Sequence, residues 1–433
     1  MHPPSLPHVP PSVCPAIPNH TGKYISMLRK LFAPLALGIA GIALTAAAVH
    51  ADLPAAYWSH PAATEGASPH DWQAIERDLS PEACAQCHAA QFADWKASMH
   101  ARAFSPGLIG QFPQQDLSDN NDCLKCHAPL AEQKYKDMKQ LTASLKLKLQ
   151  QQQGFNSDAE LRNSHLPLRH AGVTCAACHV RGWQRFGPPQ RNTGRSGKID
   201  GPAHGGFTGS KEFEQSQFCA SCHQFPEEYA INGKPLENTM EEWKQSRFAS
   251  EGVHCQSCHM PDRKHLFKGI HDPATVREGL DIASGIDHGT ASLSIASIRI
   301  GHAFPTYVTP KVTVSIEALD AQGNVLKQKE WEIGRHVAYD NGWQEISDTR
   351  MLPGEKRSYE LAALPSQARS VRFRVDVIPD NFYKGLYRDL LDEGLQGDAG
   401  RLILLAQDGA EQNDYQLYEH EEPFDGFEHY RKH

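Results

Sequence analysis

Ten of the eleven cysteines form five pairs with the spacing C-x-x-C, and a histidine directly follows every pair. The five motifs are Cys84, Cys87 and His88; Cys123, Cys126 and His127; Cys175, Cys178 and His179; Cys219, Cys222 and His223; and Cys255, Cys258 and His259. Two thiols at this spacing reach the two vinyl groups of one haem, and the next residue places an imidazole beneath the iron. The pattern therefore predicts five covalently attached c-type haems.

Two other chemistries use paired cysteines. A zinc ribbon takes C-x-x-C pairs, but zinc sites do not require a histidine after every pair. Disulfides are common in exported proteins, but five neighbouring C-x-x-C bridges would be unusual. The remaining cysteine, Cys14, stands alone near the N-terminus. We therefore favour haem attachment.

The motifs lie close together along the chain. Their first cysteines are residues 84, 123, 175, 219 and 255, at intervals of 39, 52, 44 and 36 residues. Little protein is available for each cofactor, so each haem has to serve as part of the core. The spacing predicts closely packed haems through which electrons hop.

Each iron offers one further axial position, and fifteen histidines lie outside the motifs and the leader. Their sequence context favours His100 on an apolar helix, His271 in preference to His265, His204 in a glycine-rich loop, and His302 after an alternating strand. His165 and His170 flank LPLR ahead of the third motif, and of these two we select His170 as a candidate. The sequence does not assign any of them to a particular haem.

The N-terminal region predicts export. Residues 1–26 are interpreted as an upstream extension, and from Met27 the chain has the pattern of a secretory signal. Arg29 and Lys30 precede the apolar run LFAPLALGIAGIALTAAA, and cleavage is expected after Ala51. An uncleaved membrane anchor is the alternative, because the run has about the minimum length to span a bilayer. We expect a periplasmic or cell-surface protein of a Gram-negative-type bacterium, without an integral membrane span after signal cleavage.

The residues around the motifs resemble multihaem c-type cytochromes of the cytochrome c-552/4 family, which includes the tetrahaem electron acceptor of ammonia oxidisers. The resemblance rests on CAQCHAAQFADWKASMHA, EEWKQSRFASEGVHCQSCHMP, KHLFKGIHD and GHAFPTYVTP, and it covers roughly residues 80–310. It implies electron transfer through mainly bis-histidine haems, with His100 and His271 at the positions that match distal ligands. The chain departs from the tetrahaem member in its fifth haem motif and its long C-terminal region.

The remaining patterns predict a mixed fold: a haem-packed, mainly helical or irregular cytochrome domain followed by a small antiparallel β-sandwich-like domain. An amphipathic helix is expected over residues 130–153, and a Gly/Pro-rich loop over 187–206. After residue 288 apolar and polar residues alternate, as in KVTVSIEAL and SVRFRVDVI. The predicted divisions are 1–51 for the leader and signal peptide, 52–285 for the pentahaem domain, 286–410 for a β-rich domain and 411–433 for a loosely ordered acidic tail. A short helix is expected over 383–394.

These inferences indicate an exported pentahaem electron carrier. We expect its partners to be redox proteins, either other cytochromes or quinol-oxidising complexes, and an oligomeric state is left open. The formal net charge of -8 gives no electrostatic support for nucleic-acid binding. Two alternatives remain. One is a multihaem reductase of the nitrite or hydroxylamine type, or a peroxidase, with one open haem site. The other is a subunit of a surface or filament assembly.

Overall fold

The computed structural model describes residues 53–58, 62, 67–152, 167–339 and 342–425. The predicted leader and signal peptide, Cys14 and the candidate His165 lie outside these ranges. Within them, no helix combines the length and apolar character needed to cross a bilayer.

Short helices build the region that carries the five motifs. They are α1 (Ala74–Arg77), α2 (Pro81–Ala85), α3 (Ala89–Ala97), α4 (Met99–Arg102), α5 (Pro106–Gln111), α6 (Leu117–His127), α7 (Met138–Gln152), α8 (Cys175–His179), α9 (Gln217–His223), α10 (Thr239–Lys244), α11 (Arg247–Ser250), α12 (Cys255–His259) and α13 (Pro273–Gly279). Their starts follow ordinary capping chemistry. The side chains of Ser80, Ser105 and Asp116 accept backbone N–H groups at the first turns of α2, α5 and α6, and proline is the first residue of α2 and α5.

Helix α7 confirms the central part of the predicted amphipathic helix but is shorter than expected. Leu141, Leu145 and Leu149 are buried on one face, in a cluster that also contains Phe104 and Phe112. The preceding residues take another conformation, because Leu130 forms a β-bridge with Ala62 and a 3-10 turn follows it.

Small sheets fill the connections between motifs. The first has the order β1-β2-β4-β3, formed by β1 (Val180–Arg181), β2 (Gln184–Gly187), β3 (Gly197–Ile199) and β4 (Phe207–Gly209). The predicted loop over 187–206 therefore contains one short strand. A two-stranded hairpin follows, β5 (Ala230–Ile231) with β6 (Lys234–Pro235).

The C-terminal region is antiparallel β-structure, as the period-two alternation predicts. One sheet has the order β11-β10-β9-β13-β14 and the other the order β12-β8-β7. The strands are β7 (Leu280–Asp287), β8 (Thr290–Ser297), β9 (Lys311–Leu319), β10 (Val325–Tyr339), β11 (Trp343–Asp348), β12 (Lys356–Leu361), β13 (Ser370–Ile378) and β14 (Tyr415–Pro423). Alternate residues of β9 and β13 are buried, and the two sheets share one hydrophobic core that includes Leu293, Val314 and Phe373.

The structure corrects three details of the predicted organisation. The β-structure begins at Leu280, before the expected boundary at residue 286. The prediction of a loosely ordered acidic tail is wrong for residues 415–423, because β14 pairs with β13 along its length. The helix predicted near 383–394 is α14 (Asn381–Asp392), and the unpredicted α15 (Gly397–Gln412) follows it. Leu402 of α15 joins the core of α5 and α7, so the chain returns to the motif-bearing region after β13.

A buried arginine joins the β-structure to the β5–β6 hairpin. The side chain of Arg335 on β10 is fully buried, and its Nε lies 2.8 Å from Oε2 of Glu345 on β11. Its guanidinium also donates to the carbonyls of Ile231, Lys234 and Pro235, at 2.5–2.9 Å. The hairpin between the fourth and fifth motifs is thereby held against the larger sheet.

Candidate haem-binding region

The motifs occupy equivalent local structures. In the second, third, fourth and fifth motifs the histidine is the last residue of its helix, namely α6, α8, α9 and α12. In the first, Cys84 lies in α2, and Cys87 and His88 follow directly. On a helical turn, residues three and four apart share a face. The two sulfurs and the imidazole of each motif are therefore brought to one side of the chain, as attachment to one planar group requires.

The cysteines are mostly available for attachment. Nine motif cysteines carry free thiols, and those of Cys87 and Cys258 are on exposed residues. The tenth motif cysteine, Cys123, is buried.

Thiols of different motifs contact one another. The Cys175 thiol hydrogen-bonds Cys84 and lowers its pKa, which links the first and third motifs. The Cys126 thiol does the same for Cys222, whose pKa falls to about 7, and this links the second and fourth motifs. The Cys219 thiol lowers the pKa of Cys255 to about 6 and links the fourth and fifth. These thiol contacts join the attachment points into two groups, the first motif with the third, and the second and fifth motifs with the fourth.

Backbone contacts orient the motif histidines. The Nδ1 atoms of His127, His179 and His259 lie 3.0, 2.7 and 2.5 Å from the carbonyl oxygens of Ala103, Phe186 and Lys268. A carbonyl only accepts hydrogen bonds, so Nδ1 carries the proton and Nε2 keeps its lone pair. That tautomer is the one in which Nε2 binds a metal.

His223 differs from these three. Its Nδ1 lies 2.8 Å from Oε1 of Glu237, a side chain that is 15% exposed. Burial alone would lower the pKa of His223, but the charge of Glu237 outweighs it and raises the pKa to about 9. No sequence motif marks Glu237, which lies fourteen residues after His223.

Three histidines outside the motifs face motif histidines. The ring centres are 6.2 Å apart for His100 and His223, 6.1 Å for His179 and His265, and 6.3 Å for His259 and His302. A metal–imidazole bond is about 2.0 Å and the ring centre lies about 1.1 Å behind the nitrogen, so two imidazoles on opposite sides of one metal ion need roughly 6.2 Å. The residues present therefore fit a metal ion held between each pair.

The protonation of the facing rings suits the same role. Nδ1 of His265 and of His302 lies 3.1 and 2.9 Å from the carbonyl oxygens of Arg263 and Ala303. Burial and three neighbouring imidazoles lower the pKa of His100 to about 3, so its ring is neutral. Neutral imidazole is the metal-binding form.

The other selected histidines have different surroundings. His204 packs against Trp72, with ring centres 6.4 Å apart, and its Nδ1 lies 2.8 Å from the carbonyl oxygen of Gly206. Both ring nitrogens of His170 are engaged, Nε2 by Ser144 at 2.5 Å and Nδ1 by Gln151 at 3.0 Å. The selection of His170 as a ligand is therefore not retained, because neither nitrogen remains for iron.

His265 and His271 have different surroundings. Nε2 of His271 lies 3.1 Å from Oδ1 of Asp380, directly before α14. His271 thus links the motif-bearing region to the C-terminal helices, whereas His265 faces His179. The sequence does not indicate that His265 faces His179, because His265 follows the fifth motif along the chain whereas His179 belongs to the third. In the described ranges, the ring contacts do not include a second imidazole beside His88 or His127.

A buried ion pair positions the loop that carries His302. Oε2 of Glu242 on α10 accepts the backbone N–H of Ala303 at 3.1 Å and the hydroxyl of Thr306 at 2.7 Å. Its Oε1 lies 2.8 Å from Nη1 of Arg350, which in turn pairs with Asp348. The loop after β8 is therefore fixed from the motif side and from the β-structure.

Comparison with known proteins gives a partial family match and a similar fold. Residues 83–146 match the family described as cytochrome c554 and c-prime. The fold is similar to the crystal structure of a penta-haem cytochrome c552 from Thermochromatium tepidum, with 22% sequence identity and a TM-score of 0.54. The alignment covers 81% of this chain and 100% of that chain. A comparison with curated proteins finds no match.

The fold and the motif geometry define the class. The family match and the structural neighbour support a multihaem c-type cytochrome, as the sequence predicts. The mixed fold of helices with antiparallel sheets is confirmed as well.

Proposed function

We propose that this protein is an exported pentahaem electron-transfer cytochrome. The observation that carries the proposal is the set of three facing imidazole pairs at 6.1–6.3 Å, each with one histidine from a C-x-x-C-H motif. Carriers need irons that are saturated by protein ligands, so that oxidation state changes without exchange of a ligand. Bis-histidine coordination provides this.

The ligand assignments follow from the ring pairs. His179 and His265 would hold the third haem, His100 and His223 the fourth, and His259 and His302 the fifth. For the first haem, with His88 as proximal ligand, we propose His204. Its backbone N–H donates to Glu76 at 2.7 Å, on the short helix directly before α2 and Cys84. The second haem would be held by Cys123, Cys126 and His127.

When bound, the haems supply one-electron redox chemistry. The protein holds each imidazole in one tautomer, keeps the Nδ1 proton on a fixed acceptor, and packs the attachment points within contact of one another. The thiol contacts support a route from the first motif through the third and fourth, with the second and fifth next to the fourth. The charge of Cys222 also raises the pKa of Cys178, which supports the contact of the third motif with the fourth.

Five motifs support the count of five haems, and the penta-haem neighbour is consistent with it. Covalent haem attachment of this type and the predicted signal peptide support export to the periplasm or cell surface. We propose redox proteins as partners.

The test pairs two substitutions in the haem-loaded full chain. His265→Met removes a facing imidazole, and His271→Met removes one bonded to Asp380. We expect His265→Met to alter the electron paramagnetic resonance signal of one ferric haem, while His271→Met leaves all haem signals as in the wild type. The reverse result would overturn the assignment of His265.

Mass spectrometry of the same wild-type protein tests the cofactor count. We expect an increase over the bare mature chain equal to five haems, each located on one motif peptide. A smaller number would contradict the pentahaem proposal. The electron paramagnetic resonance spectrum of the wild-type protein also tests the reductase and peroxidase alternative. An iron with an open site gives a high-spin signal, whereas a carrier with saturated irons does not.

A further inference from the structure

The fourth motif histidine has a hydrogen-bond acceptor of another kind. In three other motifs, Nδ1 of the histidine contacts a neutral carbonyl oxygen; these are His127, His179 and His259. Nδ1 of His223 instead contacts the carboxylate of Glu237, at 2.8 Å. A carboxylate that accepts the Nδ1 proton gives the ring imidazolate character and makes Nε2 a stronger donor to a metal. Extra electron donation stabilises the ferric form over the ferrous form, and hydrogen bonding of this type tunes haem potentials.

Glu237 is placed to act in this way as a fixed group. Its side chain is 15% exposed, so its charge is only partly screened by solvent. Its backbone carbonyl accepts the N–H of Phe225 at 2.9 Å, which ties it to the segment that follows His223. The neighbouring Leu236 and Val308 belong to one buried apolar cluster. The backbone hydrogen bond and the burial of Leu236 therefore fix the segment that carries the carboxylate.

The fourth motif also has a special place among the five. Its Cys222 contacts Cys126 of the second motif, and its Cys219 contacts Cys255 of the fifth. The charge of Cys178 in the third motif acts on Cys219, and the charge of Cys222 acts on Cys178. A haem at this position would be the junction of the route proposed above.

We propose that Glu237 is a positioning residue that lowers the reduction potential of the fourth haem. This inference rests on the proposed function, in which His223 is an iron ligand. A junction of low potential does not retain electrons, because they are more stable on the surrounding haems. Electrons then cross the junction in transit, and the outer haems hold the charge that partners exchange.

The test is a spectroelectrochemical titration of the haem-loaded full chain. Glu237→Gln removes the charge but keeps an oxygen acceptor beside Nδ1. Glu241→Gln is the matched control, since it removes the same charge from a 45% exposed side chain paired with Lys244. We expect one of the one-electron steps to move to higher potential in Glu237→Gln, with the other steps unchanged and the control identical to the wild type. Superimposable titrations of Glu237→Gln and the wild type would overturn the inference.

A measurement on the wild-type protein covers the case in which Glu237→Gln does not fold. Near-infrared magnetic circular dichroism reports the donor strength of axial imidazoles in ferric haems. We expect one charge-transfer band displaced to higher energy from the others, and coincident bands would overturn the inference.

Peptide mapping separates the two proposals. Absence of haem from the fourth motif refutes the proposed function. Five attached haems with an unshifted titration refute only the role of Glu237.

Discussion

Replacement of Arg335 by methionine tests the connection between the β-structure and the motif-bearing region. Arg335 is fully buried, pairs with Glu345 and donates to three carbonyls of the β5–β6 hairpin. Methionine fills a similar volume but donates nothing. Glu345 keeps Lys234 and Asn232 as partners, at 3.0 and 2.9 Å, so its charge is not left alone.

The size of the effect follows from the lost contacts. Removing one partner of a buried ion pair costs about 3–5 kcal/mol, and a buried acceptor left unsatisfied costs about 1–3 kcal/mol. The remaining partners of Glu345 and the access of water to the released hairpin reduce the sum. We expect Arg335→Met to lower the free energy of unfolding by about 4 kcal/mol.

Urea unfolding of the haem-loaded protein, followed by far-ultraviolet circular dichroism, measures this change. Arg401→Met is the control, because Arg401 lies on the exposed side of α15 and pairs with Asp398. Loss of such a surface pair changes stability by less than about 1 kcal/mol. Hydrogen exchange should also show faster exchange in the hairpin of Arg335→Met. If both variants unfold at the same urea concentration as the wild type, the argument for the arginine clamp is wrong.

Two further predictions concern the dependence of stability on pH. Burial lowers the pKa of Lys148 to about 8, so the folded state disfavours the bound proton and stability should rise as pH increases from about 8 towards 10.5. Lys148→Met should remove this rise and increase the free energy of unfolding by about 2 kcal/mol at pH 7, as measured by urea titration at each pH. A variant with the same rise as the wild type would contradict the prediction. For Asp348, burial alone would raise the pKa, but hydrogen bonds from Arg350 and Lys234 outweigh it and lower the pKa below 3.8. Its contribution is therefore present above about pH 4 and lost as pH falls below that value. Asp348→Asn should cost about 2 kcal/mol at pH 7, and its difference from the wild type should shrink as pH falls below about 4. A constant difference at all pH values would refute the assignment.

Most of the correct predictions about the motifs and the strands came from local sequence patterns. The C-x-x-C-H spacing requires only neighbouring residues, and the alternation of β9 and β13 follows from a period that each strand shows by itself. The register of β14 could not be predicted, because a strand with Glu419, Glu421 and Glu422 has no apolar alternation. It is placed by pairing with Arg372 and Arg374 of β13.

Contacts between distant segments were beyond the sequence. His265 lies eighty-six residues after His179, and no local pattern distinguishes it from His271. The roles of Glu237 and Glu242 depend on which side chains face a buried carboxylate, which only the tertiary structure determines. The same applies to His170, whose ring is held by Ser144 and Gln151 of α7.

The position of His302 has a consequence for biogenesis. This residue lies in the loop between β8 and β9, and the ion pair of Glu242 with Arg350 holds that loop through the backbone N–H of Ala303. The strands that follow β8 are synthesised after all ten motif cysteines. A chain truncated before β9 would keep His302 but would lose Arg350, the ion-pair partner of Glu242. The loop that carries the His302 imidazole therefore depends for its conformation on the part of the chain that is synthesised last.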